Sequence, residues 1–228
     1  MDFIKKLERG KARIKRYIQI FLTWNRPKIF CIGHNKTGTT SLSKALTDLG
    51  YVVGMQAEAE KMINFYKIRN FKPILSYCKY AQAFQDMPFS LPYLFVALDQ
   101  SFPGSKFILT VRDSSDQWYD SLIKFQKKRF GNGNLPTKED LINSTYRWKG
   151  FSYETKNIIY GTEDTDLYNR KKLVDLYERH NEAVIDYFRF RENDLLVLNL
   201  SERDSYLKLC KFLNKKPLYQ EFPWRNRS

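Results

Sequence analysis

The stretch CIGHNKTGTTSL, residues 31–42, follows a short apolar run and precedes a helical pattern. Strand, loop, helix is the setting in which a backbone can grip an anion. Gly33 and Gly38 let the chain turn tightly, N–H groups at the helix start stay free, and the helix dipole favours negative charge there. Thr37, Thr39, Thr40 and Ser41 add hydroxyl donors. The nucleotide-phosphate loop has the pattern G-x-x-x-x-G-K-[ST]. Here four residues separate Gly33 from Gly38, but Thr39 stands in the lysine place, and Lys36 comes two residues before the second glycine. Its ammonium is expected to approach the anion from the opposite limb of the loop. No strand-end acid suited to Mg²⁺ stands out. Both departures suit a transferred group of lower charge than a phosphoryl, and a sulfuryl group meets that description.

Around this loop, strand and helix patterns alternate. Residues 28–33 read as a buried strand and 39–49 as the helix after the loop, stopped by Gly50. Further strands are expected at 51–54, at 81–88 ending near Asp86 and Pro88, at 106–112 and at 194–200. Residues 57–80 look helical with a break near Pro73. Residues 91–102 have apolar positions at helical spacing, which puts Asp99 on a helix face rather than at a strand end. Ser114 with Gln117, Thr137 with Asp140 and Ser201 with Asp204 read as helix starts. The corresponding helices are 115–129, 137–148 and 202–213, and another long one spans 170–190. No pair of strands is joined by a two-residue hairpin turn. The expectation is an α/β domain of P-loop type, with a mainly parallel sheet flanked by helices on both faces. In such sheets ligands sit beyond the carboxyl ends of the strands, where the 33–41 loop, Asp86, Arg112 and Asn199 would gather.

The 228 residues suffice for one core-forming domain, and 43% hydrophobic with 28% charged content is a globular balance. Net charge is +14, and residues 1–28 supply half of the excess, with nine basic side chains against two acidic. Residues 1–25 are taken as a basic amphipathic N-terminal helix and 26–228 as the α/β domain. Within the first, residues 2–23 suit either docking on an anionic membrane surface or packing on the domain with a solvated basic face. Neither a transmembrane stretch nor a signal-peptide core is recognised. Three widely spaced cysteines and two histidines argue against a disulfide framework or a zinc site, and for a reducing, cytoplasmic setting.

GHNKTGTTSL followed by KFILTVRDSSDQWYDSL resembles the sulfotransferases that use 3′-phosphoadenosine 5′-phosphosulfate (PAPS). The C-terminal run YERHNEAVIDYFRFRENDLLVLNLSERDSYLKLCKFLNKKP is similar to the end of a bacterial-type sulfotransferase domain, so the likeness covers about residues 28–226. The resemblance implies that Lys36, Thr37, Gly38, Thr39, Thr40 and Ser41 hold the 5′-phosphosulfate. Lys36 would also stabilise charge on the bridging oxygen as sulfur departs. Arg112 and Ser121 would bind the 3′-phosphate, an arginine fork suiting that dianion. Many members carry the serine eight residues beyond the arginine; Asp120 stands there, and one extra residue near 114–115 moves the role to Ser121. Ser41 replaces the Trp that stacks on adenine in cytosolic small-molecule members, and their catalytic histidine has no clear match.

Asp86 is the candidate general base, with a turn-capping aspartate as the alternative. His34 is either a contact to the sulfate or acceptor or a turn residue, whereas His180 reads as a core or boundary histidine. Tyr146, Trp148 and Tyr153, with Arg147, Lys149 and Lys156, could face a sugar ring or simply form helix core and solvated surface. The expected reaction is sulfuryl transfer to a hydroxyl or amine, a carbohydrate among the candidates, without metal and without nucleic acid. The alternatives are a P-loop kinase using ATP and Mg²⁺, or a non-enzymatic binder of polyanions or membranes.

Overall fold

The computed structural model describes residues 14, 17, 18 and 21–223. Of the expected N-terminal helix, Ile14, Tyr17, Ile18 and residues 21–23 are helical, and the rest lies outside the described residues.

Four strands build one sheet: β1 (Ile29–Cys31), β2 (Ala83–Gln85), β3 (Lys106–Val111) and β4 (Leu195–Asn199). All pairings are parallel, in the order β2-β1-β3-β4. β1, β2 and the middle of β3 are apolar because both faces are covered, whereas edge strand β4 leaves Val197 exposed. On one face Phe30 lies in register between Phe84 and Phe107, and the ring of Phe30 packs against both. On the other face Cys31, Ala83, Ile108 and Leu198 meet the helices that follow β1 and β4. These are α1 (Thr39–Asp48), through Leu42, Ala45 and Leu46, and α10 (Ser205–Phe212), through Tyr206 and Leu209.

The aromatic face is covered by α5 (Leu94–Ser101), α8 (Phe151–Tyr160) and α9 (Arg170–Phe188). Helix α6 (Ser115–Phe130) docks on α9, Trp118 stacking on Tyr177 at 4.6 Å. As expected, Ser114 caps α6 by accepting from the Gln117 N–H. Thr137 and Asp140 form a complete capping box on α7 (Lys138–Asn143). Asp99 lies on α5, where it accepts from Arg191 and the Tyr187 hydroxyl.

Several expected elements differ. Residues 51–54 do not form a strand. Val52 O accepts from both Gln82 N and Ala83 N, and Val53 makes one isolated bridge to Ala83, so the chain crosses β2 at a point instead of running beside it. Residues 57–80 form three short helices, α2 (Gln56–Glu60), α3 (Ile63–Lys67) and α4 (Lys72–Tyr77), and a 3₁₀ turn at Cys78–Tyr80. Pro73 falls in the first turn of α4, where its missing N–H costs nothing. The helix expected over 137–148 ends at Asn143, and a separate helix, α8, begins after Gly150. Ser201 does not cap the last helix. Its hydroxyl goes to Asp113 and Asn199 instead, and α10 starts at Ser205 without a side-chain cap.

Candidate active site

With strand order β2-β1-β3-β4, the chain leaves β1 toward one side for β2 and returns to the other side for β3. A crevice therefore opens at the carboxyl end of β1. Because every strand is parallel, Asp86 after β2, the 33–38 loop after β1, Arg112 after β3 and Asn199 at the end of β4 all emerge on that edge.

The loop is built to expose N–H groups. Three successive carbonyls are tied back by side chains. Thr37 Oγ1 donates to His34 O at 2.5 Å, Trp118 Nε1 to Asn35 O at 2.9 Å, and Arg112 Nε to Lys36 O at 2.6 Å. Lys36 itself has φ 68°, a left-handed residue that makes the backbone concave. Gly33 has no room for a side chain: a Cβ there would lie 2.3–2.5 Å from Thr110. Gly38, with φ 98°, precedes α1, and no side chain caps that helix, whose first intrahelical bond runs from Leu42 N to Gly38 O. The N–H groups of Thr39 and Thr40, in the first turn, have no intrahelical acceptor, and with the helix dipole they form an anion cradle.

The expected hydroxyl donors divide into two sets. Thr39 and Thr40 line the cavity beside the loop. Thr37 does not: it is 2% exposed, and its hydroxyl bridges His34 O and Thr110 Oγ1, so it holds the loop rather than its ligand. Ser41 is buried with it. Lys36 extends its ammonium over the Phe125 ring, 3.8 Å from the centroid, and enters no ion pair among the described residues. Burial pushes its pKa down, the Asp86 carboxylate works against that, and Arg112 adds to the lowering.

Asp86 also has a left-handed backbone, φ 58°, and its Oδ1 accepts from Met87 N at 2.8 Å. Burial pushes its carboxyl up to about 6; the Met87 hydrogen bond opposes this, Glu60 reinforces it and Lys36 opposes it. A carboxylate poised this close to neutrality can accept a proton at physiological pH.

Lys36, Thr39, Thr40 and Asp86 line one cavity of about 400 Å³. Its other walls come from α2, α6, α8 and the segment before α8, and include Glu60, Phe125, Tyr146, Lys156 and Tyr160. The Tyr160 hydroxyl faces Asn35, and burial pushes its pKa up to about 12. A second, larger hollow of about 840 Å³ lies beside Leu200–Tyr206 and residues 217–222. Leu200 touches Gly38, so the loop sits between the two spaces. At this side Asp113 accepts from Asn199 and Ser201, which with Gln117 hold its carboxyl below the usual range.

His34, in the loop, turns its ring inward onto His180 of α9. His34 is buried against His180 (ring centroids 4.6 Å apart), Trp118 and Tyr177, and does not line the cavity. Burial and His180 keep it neutral. His180 is a core residue, as expected, with Nε2 on Ile32 O at 2.8 Å. Ser121 is half-buried on α6 between Trp118 and Phe125, on the side turned toward the loop, whereas Asp120 is exposed.

A family model described as a sulfotransferase domain matches residues 28–228. The chain belongs to the sulfotransferase family. A search of curated proteins gave no match. The sulfotransferase has a mixed α/β fold with an all-parallel sheet, and the family match makes it a transferase. Among its described residues no three His, Cys, Asp or Glu side chains cluster as a metal site, and no helix is long and apolar enough to cross a membrane. Its three cysteines are buried and free.

Glu60, Gln56, Phe125, Thr155 and Tyr160 line the sulfotransferase cavity without having been singled out in the sequence. The aromatic segment expected to face either a sugar or the core divides. Tyr146 and Lys156 line the cavity, Arg147 pairs with Glu60, Trp148 packs on Phe151, and Tyr153 donates to Asp164.

Proposed function

We propose that this chain transfers a sulfuryl group from PAPS to a hydroxyl by in-line displacement, with Asp86 as general base. The observation that carries the reading is the loop itself. Three tied carbonyls, an uncapped helix start and a lysine with no ion pair among the described residues belong to one loop, and the Asp86 carboxylate favours the charge of that ammonium.

In this reading the N–H groups at the start of α1, with Thr39 and Thr40, hold the 5′-phosphosulfate. The backbone around Thr37 and Ser41 contributes N–H groups, their side chains being turned inward. Lys36 neutralises charge growing on the bridging oxygen, a contribution made mainly in the transition state. Arg112 keeps its remaining guanidinium donors for the 3′-phosphate while Nε braces the loop, and Ser121 joins it from α6. The donor's nucleoside extends toward β4 and the larger hollow, and the acceptor occupies the 400 Å³ cavity. There Asp86 takes the proton of the attacking hydroxyl, the oxygen–sulfur bond forms, the bond to the bridging oxygen breaks, and adenosine 3′,5′-bisphosphate leaves.

Lys36→Ala tests this. Single-turnover transfer should fall about 100-fold or more while bisphosphate affinity changes far less. Normal PAPS-dependent turnover in this variant would show that the loop is not the reaction centre.

A reducing, cytoplasmic setting fits the free cysteines. Exposed Ile14, Tyr17, Ile18, Phe21, Leu22 and Trp24, next to the basic residues of the first 28 positions, support peripheral contact with an anionic membrane face. Co-sedimentation with phosphatidylserine vesicles at low salt, lost at high salt, is the expected result; equal partition onto neutral vesicles would argue against it.

A further inference from the structure

The cavity that receives the acceptor is lined by apolar side chains and by hydrogen-bonding groups, and several of the latter carry oxygens that accept. Gln85 Oε1, Gln126 Oε1 and Thr155 Oγ1 are buried, have no hydrogen-bond partner among the described residues, and belong to residues lining the cavity from β2, α6 and α8. Thr155 as a whole is only 7% exposed. The orientation of Gln85 follows from its neighbours. Gln56 Nε2 must face the Met87 carbonyl at 2.9 Å, so Gln56 Oε1 accepts, and Gln85 turns its amide nitrogen to it at 3.3 Å. The oxygen of Gln85 is left aimed elsewhere. The Asp86 carboxylate on the same wall is a further acceptor.

Buried acceptors without donors are costly, so the natural occupant brings several O–H groups at once. Phe130 and Tyr160 add flat ring surface suited to the C–H side of a saturated ring, while Lys36 lies over Phe125 and Arg129 and Arg147 over Tyr146. Of the charged wall residues, Glu60 is paired with Arg147 and Lys36 is directed to the donor's phosphosulfate, which leaves Lys156 against Asp86. Nothing there calls for a charged occupant. About 400 Å³ lies at the small end of ligand pockets and suits one or two rings.

Building on the sulfuryl-transfer reading, we propose that the acceptor is a neutral saccharide. One hydroxyl is directed at Asp86, and others donate to Gln85, Gln126 and Thr155. A phenol or a simple amine leaves at least two of these oxygens without a donor. The step balances as for any alcohol: the sugar oxygen bonds to sulfur, its proton passes to Asp86, and the bisphosphate departs with the bond electrons, giving a sugar sulfate ester.

The experiment pairs acceptor binding with turnover. Neutral mono- and disaccharides, phenols and alkylamines are tested as acceptors with PAPS, and saccharide binding is measured independently by saturation-transfer NMR. Bisphosphate affinity is measured in parallel. Soluble disaccharides are compared with the same sugars carried on lipid in vesicles, which separates a free sugar from a glycolipid headgroup. The expected result is saccharide binding and sulfation. Thr155→Val and Gln126→Leu should each raise the saccharide KM about 5- to 100-fold, and Thr155→Ser should restore it. Bisphosphate affinity stays unchanged in all three. If no saccharide binds or reacts, or if Thr155→Val and Gln126→Leu leave the saccharide KM unmoved, the acceptor class is wrong, although the donor reading stands. If the wild-type chain fails to bind bisphosphate, both fall.

Discussion

Replacing Asp86 with Asn should make a dead enzyme that is harder to unfold. The carboxyl titrates near 3.8 in an unfolded chain and is pushed up to about 6 by burial in the folded one. Between those values the folded state holds the proton that the unfolded state has released, so stability falls as pH rises through that window. Above about pH 6 the full penalty of holding a buried carboxylate is present; below about pH 4 it is gone. The interval from 3.8 to about 6 corresponds to ~3 kcal/mol, and the half-open position of the side chain trims this to ~1–2 kcal/mol. Asn keeps an oxygen to accept from Met87 N but carries no charge. For a chain of this length the variant should melt about 2–6 °C higher at pH 8. At pH 4 the two proteins should melt together. In parallel kcat should fall about 100- to 10,000-fold, as expected for loss of a general base. In the wild type kcat/KM should rise with pH and level off above a midpoint of about 6. Calorimetric melts of both proteins from pH 4 to 8, with rates over the same range, provide the measurement. A variant less stable at pH 8, or one with near-normal kcat, would refute the placement of Asp86 as a strained, functional carboxylate.

Three further outcomes follow from the loop geometry. Arg112→Ala removes both the brace on the Lys36 carbonyl and the expected 3′-phosphate fork, and should weaken bisphosphate binding about 10- to 100-fold by calorimetry; unchanged affinity would remove Arg112 from the donor site. Trp118→Phe keeps most of the stacking area on Tyr177 but loses the indole donor to Asn35, and should cost about 1 kcal/mol in a denaturant melt together with some bisphosphate affinity. Gly33→Ala drives a methyl into the backbone of β3 and should lower stability by about 1–3 kcal/mol or leave the chain unfolded; a well-folded, active variant would contradict the close crossing at Thr110.

The parts of this architecture that depend on local chemistry were readable from residues alone. Alternating strand and helix signals, the capping pairs Ser114–Gln117 and Thr137–Asp140, and the shifted lysine between Gly33 and Gly38 all act within a few positions of chain. Asp86 was readable as a strand-end acid because β2 is apolar and a proline follows two residues later. Side-chain direction was not readable. Thr37 resembles a phosphate ligand in sequence, and only the approach of Thr110, 73 residues later, turns its hydroxyl inward. Ser201 likewise has the spacing of a helix cap, but Asp113 on the neighbouring strand end draws it away. The cavity wall was hidden for a related reason. Gln56, Glu60, Thr155 and Tyr160 sit on helices of 5 and 10 residues whose positions are set by packing on the aromatic face of the sheet.

The central claim is that the loop around Lys36 holds a sulfonated adenosine nucleotide. Isothermal titration of the whole chain with adenosine 3′,5′-bisphosphate in EDTA, against ATP with Mg²⁺, tests it most directly. The account predicts saturable one-to-one binding of the bisphosphate, weakened by Arg112→Ala, and little heat from ATP. Tight binding of Mg²⁺–ATP with none of the bisphosphate would contradict it.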